Sequence, residues 1–383
     1  RVLTDEAGFL TAAWALQQTG KLNAYPEWVN TSAGVRPLRE MPPFRPALFS
    51  TLVAVAGFAT GSSPRTGIYL NELSLAFLLL LAARLGLRIA GVAGAFACLA
   101  LLALDPGLAA CAFSSGYDLL ALLLFGLSAA AWGAFTRAKR DADLRLAIAA
   151  GVAFATARYE GFFWVFLLIF GARVARGRFP PWRTLALAAV LVWPSLVQRF
   201  AAFGPTDVPP GELFRFARMP AQAHDFFFSL LLPMPALGLL ALALRPRDLL
   251  RPAVALPALF LGVYLGFLLG FPGGAALDPL QGRLFLPFSA ALVLALSLGL
   301  SRLPGGVRWL AAASVVAVTL PFADDARFWA DPMTLETAAL GDYVEKSPAE
   351  AIFIYPFPSH VAAFHRAAIQ PWRYLRDPSR SEE

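Results

Sequence analysis

Two adjacent carboxylates, Asp5 and Glu6, stand near the start of the chain, ahead of an apolar segment that ends at Gly20. Arginines recur beside apolar segments further along, at Arg45, Arg158 and Arg283 among other positions. A carboxylate acts as a general base on an attacking hydroxyl, and arginines bind phosphate through bidentate hydrogen bonds. Together these residue types suit an attack by a hydroxyl on a substrate that carries phosphate.

The composition of the chain is that of a membrane protein. Of its 383 residues, 58% are hydrophobic and 15% are charged, and its mean hydropathy is +0.61, whereas a soluble domain has about 25% charged residues. The apolar runs are long, continuous and rich in Ala and Leu, which predicts a polytopic all-α membrane protein and excludes an outer-membrane β-barrel.

The net charge of +7 does not indicate nucleic-acid binding, because the basic residues form short clusters between apolar runs. Cys98 and Cys111 have no metal or redox spacing, although an isolated disulfide stays open. The three histidines, His224, His360 and His365, are too scattered to form a ligand set. These patterns exclude a metal-centred redox protein.

Four basic segments set the predicted topology: 137–145, 173–183, 245–251 and 302–308. The positive-inside rule places all four in the cytoplasm. Ten apolar crossings are consistent with that placement: 67–83, 89–104, 118–135, 146–157, 161–173, 184–198, 226–244, 252–270, 285–301 and 309–321. We therefore expect three parts, namely an external loop over 1–66, a membrane domain over 67–321 and a small external piece over 322–383.

Several shorter segments qualify this topology. Residues 5–19 and 46–60 read as helices lying in the outer interface, the first capped by Gly20. An external 1–66 requires a membrane helix before Arg1, which we expect to be missing from this sequence. Crossings 146–157 and 161–173 are short, and broken helices are tolerated beside a cavity, so Arg158 and Glu160 are predicted at a cavity near the outer face.

The external C-terminal piece is less apolar than the membrane domain. Residues 351–358 read as a short strand, and residues 359–368 as a helix. We therefore expect a small α/β appendage.

Four stretches carry a resemblance to a known family: TDEAGFLTAAWALQQTGKL (4–22), MPPFRPALFSTLVAVAG (41–57), ATARYEGFFWVFLLI (155–169) and QGRLFLPFSAALVLAL (281–296). They are similar to the acidic first-loop motif, the Pro-rich second juxtamembrane helix, the short-helix break and the late Arg-x-x-x-Pro helix start of GT-C glycosyltransferases. Their order resembles the protein-mannosyltransferase and aminoarabinose-transferase group. The resemblance implies a GT-C fold with in-plane juxtamembrane helices and an external C-terminal piece.

The resemblance also implies a reaction: transfer of a sugar from a polyprenyl-phosphate-linked donor to an acceptor hydroxyl. Asp5 matches the family's base, with Glu6 beside it. The phosphate ligands would be Arg158 and Arg283, followed by Arg45, and the substrate would be oriented by Asp118 with Tyr117 and Glu160. The chain departs from its relatives at Arg45, where many have a histidine or aromatic residue, and at Arg158, which stands where a lysine is expected.

Some assignments stay open at this stage. No cofactor is assigned, but a divalent metal is not excluded, and Asp5, Glu6 and Asp118 would be its ligands. The partners implied are the lipid-linked donor, membrane lipids, and a lipid, glycan or protein acceptor. The Ala/Leu/Arg-rich usage is typical of a bacterium with GC-rich DNA, which would place the chain in the inner membrane with its site facing the periplasm.

Each residue also has a structural interpretation. Asp5 and Glu6 would cap a surface helix, Arg158 and Glu160 would form a structural ion pair, and Asp118 would be an ordinary N-cap. Arg283 would be an interfacial anchor. Two other functions compete with the enzyme, namely a transporter of a lipid-linked sugar and a non-catalytic scaffold of the same fold.

Overall fold

The structure is a computed structural model, and it describes residues 4–22, 28–31, 34–37, 46–60, 65–114, 116–177, 179–202, 216, 219, 247, 250–270, 282–321, 351–353 and 367–369. The helices are α1 (Thr4–Thr19), α2 (Leu48–Thr60), α3 (Arg65–Ala103), α4 (Pro106–Ala112), α5 (Asp118–Ala138), α6 (Asp141–Ala157), α7 (Gly161–Arg176), α8 (Trp182–Ala202), α9 (Pro252–Gly270), a 3₁₀ helix (Gly282–Phe285), α10 (Leu286–Leu300) and α11 (Gly305–Pro321). The strands are β1 (Trp28–Thr31), β2 (Gly34–Pro37), β3 (Ala351–Phe353) and β4 (Ala367–Ile369).

The helices follow most of the predicted crossings. Within the described residues, three helices have the length and apolar composition of a membrane span, namely α3, α5 and α9. The helices α2, α10 and α11 are apolar but shorter. The predicted crossing 226–244 lies outside the described residues.

The 39-residue helix α3 is a hairpin of two arms. Its helical geometry breaks at Ala90 and Gly91, and Gly91 has a φ of +69°, which favours glycine because it has no Cβ. The arms pack backbone to backbone, since a Cβ on Gly94 would lie 2.5 Å from the carbonyl oxygen of Gly86. The predicted crossings 67–83 and 89–104 match the two arms, but the turn falls at 90–91, so the residues between the two predicted crossings, 84–88, are helical.

Hydrogen bonds and an ion pair at or beside the basic segments tie the helices together at one end. Arg308 Nη1 donates to the carbonyl of Ala90 at 3.0 Å, and Arg176 pairs with Asp141 across the ends of α5, α6 and α7. Trp132, near the end of α5, donates from Nε1 to the carbonyl of Pro252 at 2.8 Å. The helix termini next to the four basic segments therefore lie on one side of the helix bundle, which we call the basic end.

Helices α5, α6 and α7 form the centre of the packing. The buried hydroxyl of Ser128 donates to the carbonyl of Ala147 at 2.6 Å and accepts from Trp164 Nε1 at 2.8 Å. Phe125 meets Trp164 edge-on, with ring centroids 5.1 Å apart. A single hydroxyl thus links all three helices where their apolar faces meet.

Ser128→Ala is expected to lower the free energy of unfolding by about 1–3 kcal/mol, because the buried Trp164 Nε1 loses its acceptor. Thr136→Ala is the matched control, since Thr136 donates only to the carbonyl of Gly133 in its own helix. Thermal unfolding of both variants in the same detergent measures the difference. Equal losses in the two variants would contradict this role for Ser128.

The first two helices form a pair that runs in the same direction. Phe9 packs on Phe49, with centroids 5.7 Å apart, and Gln17 Nε2 donates to the carbonyl of Ala54 at 2.8 Å. Gly20 follows α1 with a φ of +69°, which confirms the predicted C-terminal cap. The pair matches the two predicted juxtamembrane helices.

Two small sheets account for the strands. β1 and β2 pair antiparallel, with Trp28 opposite Pro37, and β3 and β4 pair parallel, with Ala351 opposite Ala367. β4 also contacts β1, so parts of the two predicted external regions lie together. Residues 351–353 confirm the start of the predicted strand. The helix predicted for 359–368 is wrong at its end, because residues 367–369 pair with β3.

Candidate functional site

A buried arginine gathers three elements at the end opposite to the basic end. Arg158 lies in the short turn between α6 and α7, and its Nη1 donates to Asp118 Oδ1 at 3.0 Å. Its Nη2 donates to Glu160 Oε1 and to the hydroxyl of Tyr264, both at 3.0 Å. Its Nε donates to Glu160 Oε2 at 3.3 Å. We call Arg158, Asp118, Glu160 and Tyr264 the Arg158 cluster.

Burial and neighbouring charges act in opposite directions on the pKa of Arg158 in this cluster. The Arg158 side chain is 7% exposed and that of Asp118 is 4% exposed, whereas that of Glu160 is 32% exposed. Burial opposes the charge of Arg158, but Glu160 and the groups around it outweigh burial and raise the pKa of Arg158 well above its ordinary value. Asp118 begins α5, where the helix dipole also favours a carboxylate.

Aromatic side chains surround the arginine. The guanidinium carbon of Arg158 lies 5.5 Å from the ring centroid of Tyr117 and 5.8 Å from that of Tyr264. Tyr264 stacks on Phe288 of α10 at 5.8 Å. Phe9 of α1 meets Tyr117 edge-on at 5.0 Å. The aromatic contacts thus link the cluster to α1 and α10.

A small cavity of about 20 Å³ opens onto the cluster. Its polar lining comes from Asp118, Arg158, Glu160 and Tyr264, and its apolar lining comes from α5, α6, α9 and the start of α10, with Pro287 at the last of these. This volume corresponds to about one water molecule. The prediction that Arg158 and Glu160 lie at a cavity matches this arrangement.

The hairpin of α6 and α7 is short for two membrane crossings. The helices have 17 and 16 residues and span roughly 25 Å each, less than the ~30 Å hydrocarbon core of a bilayer. The chain turns at Arg158–Glu160, and Gly161 Cα lies so close to α6 that a Cβ there would approach Ala155 N to 2.4 Å. This contact holds the turn against α6.

The structure brings together half of the residues that the sequence singled out. Tyr117, Asp118, Arg158 and Glu160 are in contact or share the cavity. The other four are not fully described: Asp5 and Glu6 lie in the first turn of α1 and Arg283 in the 3₁₀ helix, with side chains outside the described residues, and Arg45 is wholly outside them. Their predicted roles stay predictions.

Tyr264 and Asn71 were not predicted from the sequence. Tyr264 is a hydroxyl-bearing residue in the apolar segment 252–270, and a buried tyrosine hydroxyl normally finds a partner. Asn71 lies in the crossing 67–83, is fully buried, and donates from Nδ2 to the carbonyls of Ser114 and Gly116 at 2.8 and 2.7 Å. Isolated polar residues in apolar runs were the available signal.

Asn71→Ala is expected to lower the free energy of unfolding by about 1–3 kcal/mol, because two buried carbonyls lose their donor. Those carbonyls lie just before Tyr117 and Asp118 in the chain. Ser74→Ala is the control, since Ser74 donates to Leu70 of its own helix. Thermal unfolding of both variants measures the effect, and a loss no greater than that of Ser74→Ala would contradict this role.

The described residues contain no group of three or more His, Cys, Asp or Glu side chains that could hold a metal ion. The proposed ligand set is not tested by this, because the side chains of Asp5 and Glu6 lie outside the description. Cys98 and Cys111 are both buried and free, so the disulfide left open by the sequence is not formed between them.

Solved structures of two proteins share the fold of this chain. ArnT from Cupriavidus metallidurans, in the apo state and bound to undecaprenyl phosphate, is 15% identical, with a TM-score of 0.57 over 98% of this chain and 84% of ArnT. An Archaeoglobus fulgidus oligosaccharyltransferase, in a complex with Zn and sulfate, is 11% identical, with a TM-score of 0.58 over 96% of this chain and 58% of its own.

No protein-family model matches the chain, and no curated protein matches it in sequence. At these identities the likeness shows the fold alone. The chain is a multi-pass helical membrane protein with a GT-C fold, as the sequence predicted.

Proposed function

We propose that the chain is a membrane glycosyltransferase that moves a sugar from a polyprenyl-phosphate-linked donor to an acceptor hydroxyl. The observation that carries the proposal is the GT-C fold over 98% of the chain, shared with a transferase solved with undecaprenyl phosphate bound. Fold alone does not establish activity. The charged side chains of the Arg158 cluster, at the end opposite to the basic end, add support from the site.

The proposed reaction is a direct displacement at the anomeric carbon. Asp5 takes the proton of the acceptor hydroxyl as its oxygen attacks that carbon, with Glu6 as its acidic neighbour. The bond between the anomeric carbon and the phosphate oxygen breaks, and polyprenyl phosphate leaves with the electron pair. Nearby arginines stabilise the negative charge that develops on the phosphate.

The proposed roles divide the site into two parts. Arg283 and Arg45 bind the donor phosphate, which suits the bidentate geometry of guanidinium groups. Asp118, Tyr117 and Glu160 orient the substrate beside Arg158. The sequence also assigned Arg158 to the phosphate, but its surroundings favour another role.

We also infer the orientation of the chain in the membrane. The basic end faces the cytoplasm by the positive-inside rule, which places the Arg158 cluster on the outer side, the periplasm in a bacterial inner membrane. Residues 1–66 and 322–383 are then external, and the contact between β1 and β4 supports a common side for them.

The test measures sugar transfer by the full chain in lipid nanodiscs. A panel of polyprenyl-phosphate sugars is supplied, and the matching nucleotide sugars serve as controls. We expect release of free polyprenyl phosphate and labelled acceptor with the lipid-linked donors only. Movement of the intact donor across vesicles, with no release of polyprenyl phosphate, would indicate the transporter instead. If polyprenyl phosphate is not released and the intact donor does not move with any member of the panel, the enzyme is contradicted and the scaffold remains.

A further inference from the structure

The hydrogen bonds of Arg158 leave it little capacity to bind a ligand. At least four of its five N–H groups donate to protein acceptors: two to Glu160, one to Asp118 and one to Tyr264. A bidentate contact with a phosphate needs two parallel donors. Arg158 would have to break at least one of these four bonds to make that contact, and most of its donors already serve carboxylates.

The charge around Arg158 also disfavours an anion. One guanidinium faces two carboxylates, Asp118 and Glu160, so the ionised cluster carries a net charge of −1. Among the described residues, a phosphate added beside the cluster would meet two carboxylates and one guanidinium in a buried site, where charge interactions are stronger than in water. Arg308 differs from Arg158, because its hydrogen bonds run to backbone carbonyls and not to carboxylates. These carbonyls belong to Ala90, Ser301 and Leu303.

The acceptors of Arg158 come from three separate elements. Asp118 begins α5, Glu160 lies in the turn before α7, and Tyr264 lies in α9. All three side chains line the same cavity. The Glu160 side chain is more exposed than that of Asp118, so a substrate would reach Glu160 first.

We propose that Arg158 is a positioning residue, which holds Asp118, Glu160 and Tyr264 in the geometry that orients the substrate, and is not the ligand of the donor phosphate. This inference rests on the proposed function. The rigid guanidinium fork sets the angle between the two carboxylates, which a lysine point charge does not reproduce. Arg158 therefore acts through these three side chains.

The first experiment separates binding from turnover. Binding of polyprenyl phosphate is measured by titration in nanodiscs for the wild type, Arg158→Lys and Arg283→Lys, and transfer kinetics are measured on the same samples. We expect Arg158→Lys to keep the dissociation constant within twofold while kcat falls at least tenfold. A tenfold weaker dissociation constant with an unchanged kcat would overturn the proposal, since that is the behaviour of a phosphate ligand.

The second experiment measures coupling and does not require activity. Melting temperatures are compared for Arg158→Gln, Asp118→Asn and the double variant. Arg158→Gln is expected to lose several degrees, because two carboxylates are left unpaired, and Asp118→Asn should restore at least half of that loss in the double variant. Additive losses would overturn the proposal. If Arg158→Gln does not fold, Arg158→Lys replaces it in the cycle.

Arg308→Gln is the matched control for a purely structural arginine. It removes contacts at the basic end, so it should lower the melting temperature without changing kcat or the binding of polyprenyl phosphate per folded molecule. An Arg158→Lys variant that behaves in the same way would overturn a positioning role. If the wild type binds no polyprenyl phosphate and transfers no sugar, the proposed function fails, and the coupling of Arg158 to Asp118 is still decided by the melting temperatures.

Discussion

Asp5→Asn is expected to reduce sugar transfer by about 10²–10⁴-fold, the usual contribution of a positioned general base. Asparagine retains the size of the side chain and its ability to cap a helix, but it cannot take the proton of the acceptor hydroxyl. The folded state and the binding of polyprenyl phosphate should therefore be unchanged. Initial rates at saturating donor, with melting temperatures measured alongside, give the comparison.

Two further variants make this prediction specific. Asp141→Asn removes an exposed acid that pairs with Arg176 at the basic end, and it should transfer at the wild-type rate. Glu6→Gln should have a smaller effect than Asp5→Asn, because the resemblance assigns the proton transfer to Asp5. Wild-type transfer by Asp5→Asn would reduce Asp5 to a helix cap and move the search for the base to Glu6 and Asp118.

The sequence predicted the helices correctly where a long apolar run is bounded by basic residues. The long apolar runs and the basic segments between them anticipated α5, α6, α7 and α9, and Gly20 marked the end of α1. The position of the α3 turn was less accurate, because the predicted crossings 67–83 and 89–104 placed the loop between them, whereas the turn depends on Gly91. A glycine in an apolar run gives no sign of its φ.

The candidate site was only partly predictable for a different reason. Asp118, Arg158 and Glu160 are charged residues next to apolar segments, so each could be found singly. The contact between Asp118 and Arg158 joins positions 40 residues apart, and the bond from Arg158 to Tyr264 joins positions 106 apart. Such contacts follow from helix packing, which local spacing does not specify. The helix predicted for 359–368 is wrong at 367–368, because strand pairing with β3 overrides local helix propensity.

Gly161→Ala is expected to destabilise the contact between α6 and α7 that holds the site. A Cβ at Gly161 would lie 2.4 Å from Ala155 N and 2.5 Å from Ala155 Cα. These are backbone atoms, so no side chain can turn aside, and α7 must move away from α6. Overpacking of this kind lowers the free energy of unfolding by about 1–3 kcal/mol, and occasionally by more.

Displacement of α7 in Gly161→Ala should also lower the rate of sugar transfer. Gly161 directly follows Glu160, and its amide donates to the carbonyl of Arg158 at 3.0 Å. Movement of α7 therefore shifts Arg158 and Glu160, which form an ion pair, away from Asp118. We expect Gly161→Ala to lower kcat at least tenfold even at a temperature where the variant is fully folded, a loss of about 1.4 kcal/mol or more in transition-state stabilisation.

Gly262→Ala is the matched control, because it makes the same change in α9, two residues from Tyr264. No atom lies within 4 Å of a Cβ at Gly262. Alanine favours a helix over glycine by about 1 kcal/mol, so this variant should melt at or above the wild-type temperature and retain transfer. Thermal unfolding and initial rates of both variants decide the matter. If Gly161→Ala matched Gly262→Ala in both, the close approach of α6 and α7 would not be what holds Arg158 and Glu160 in place.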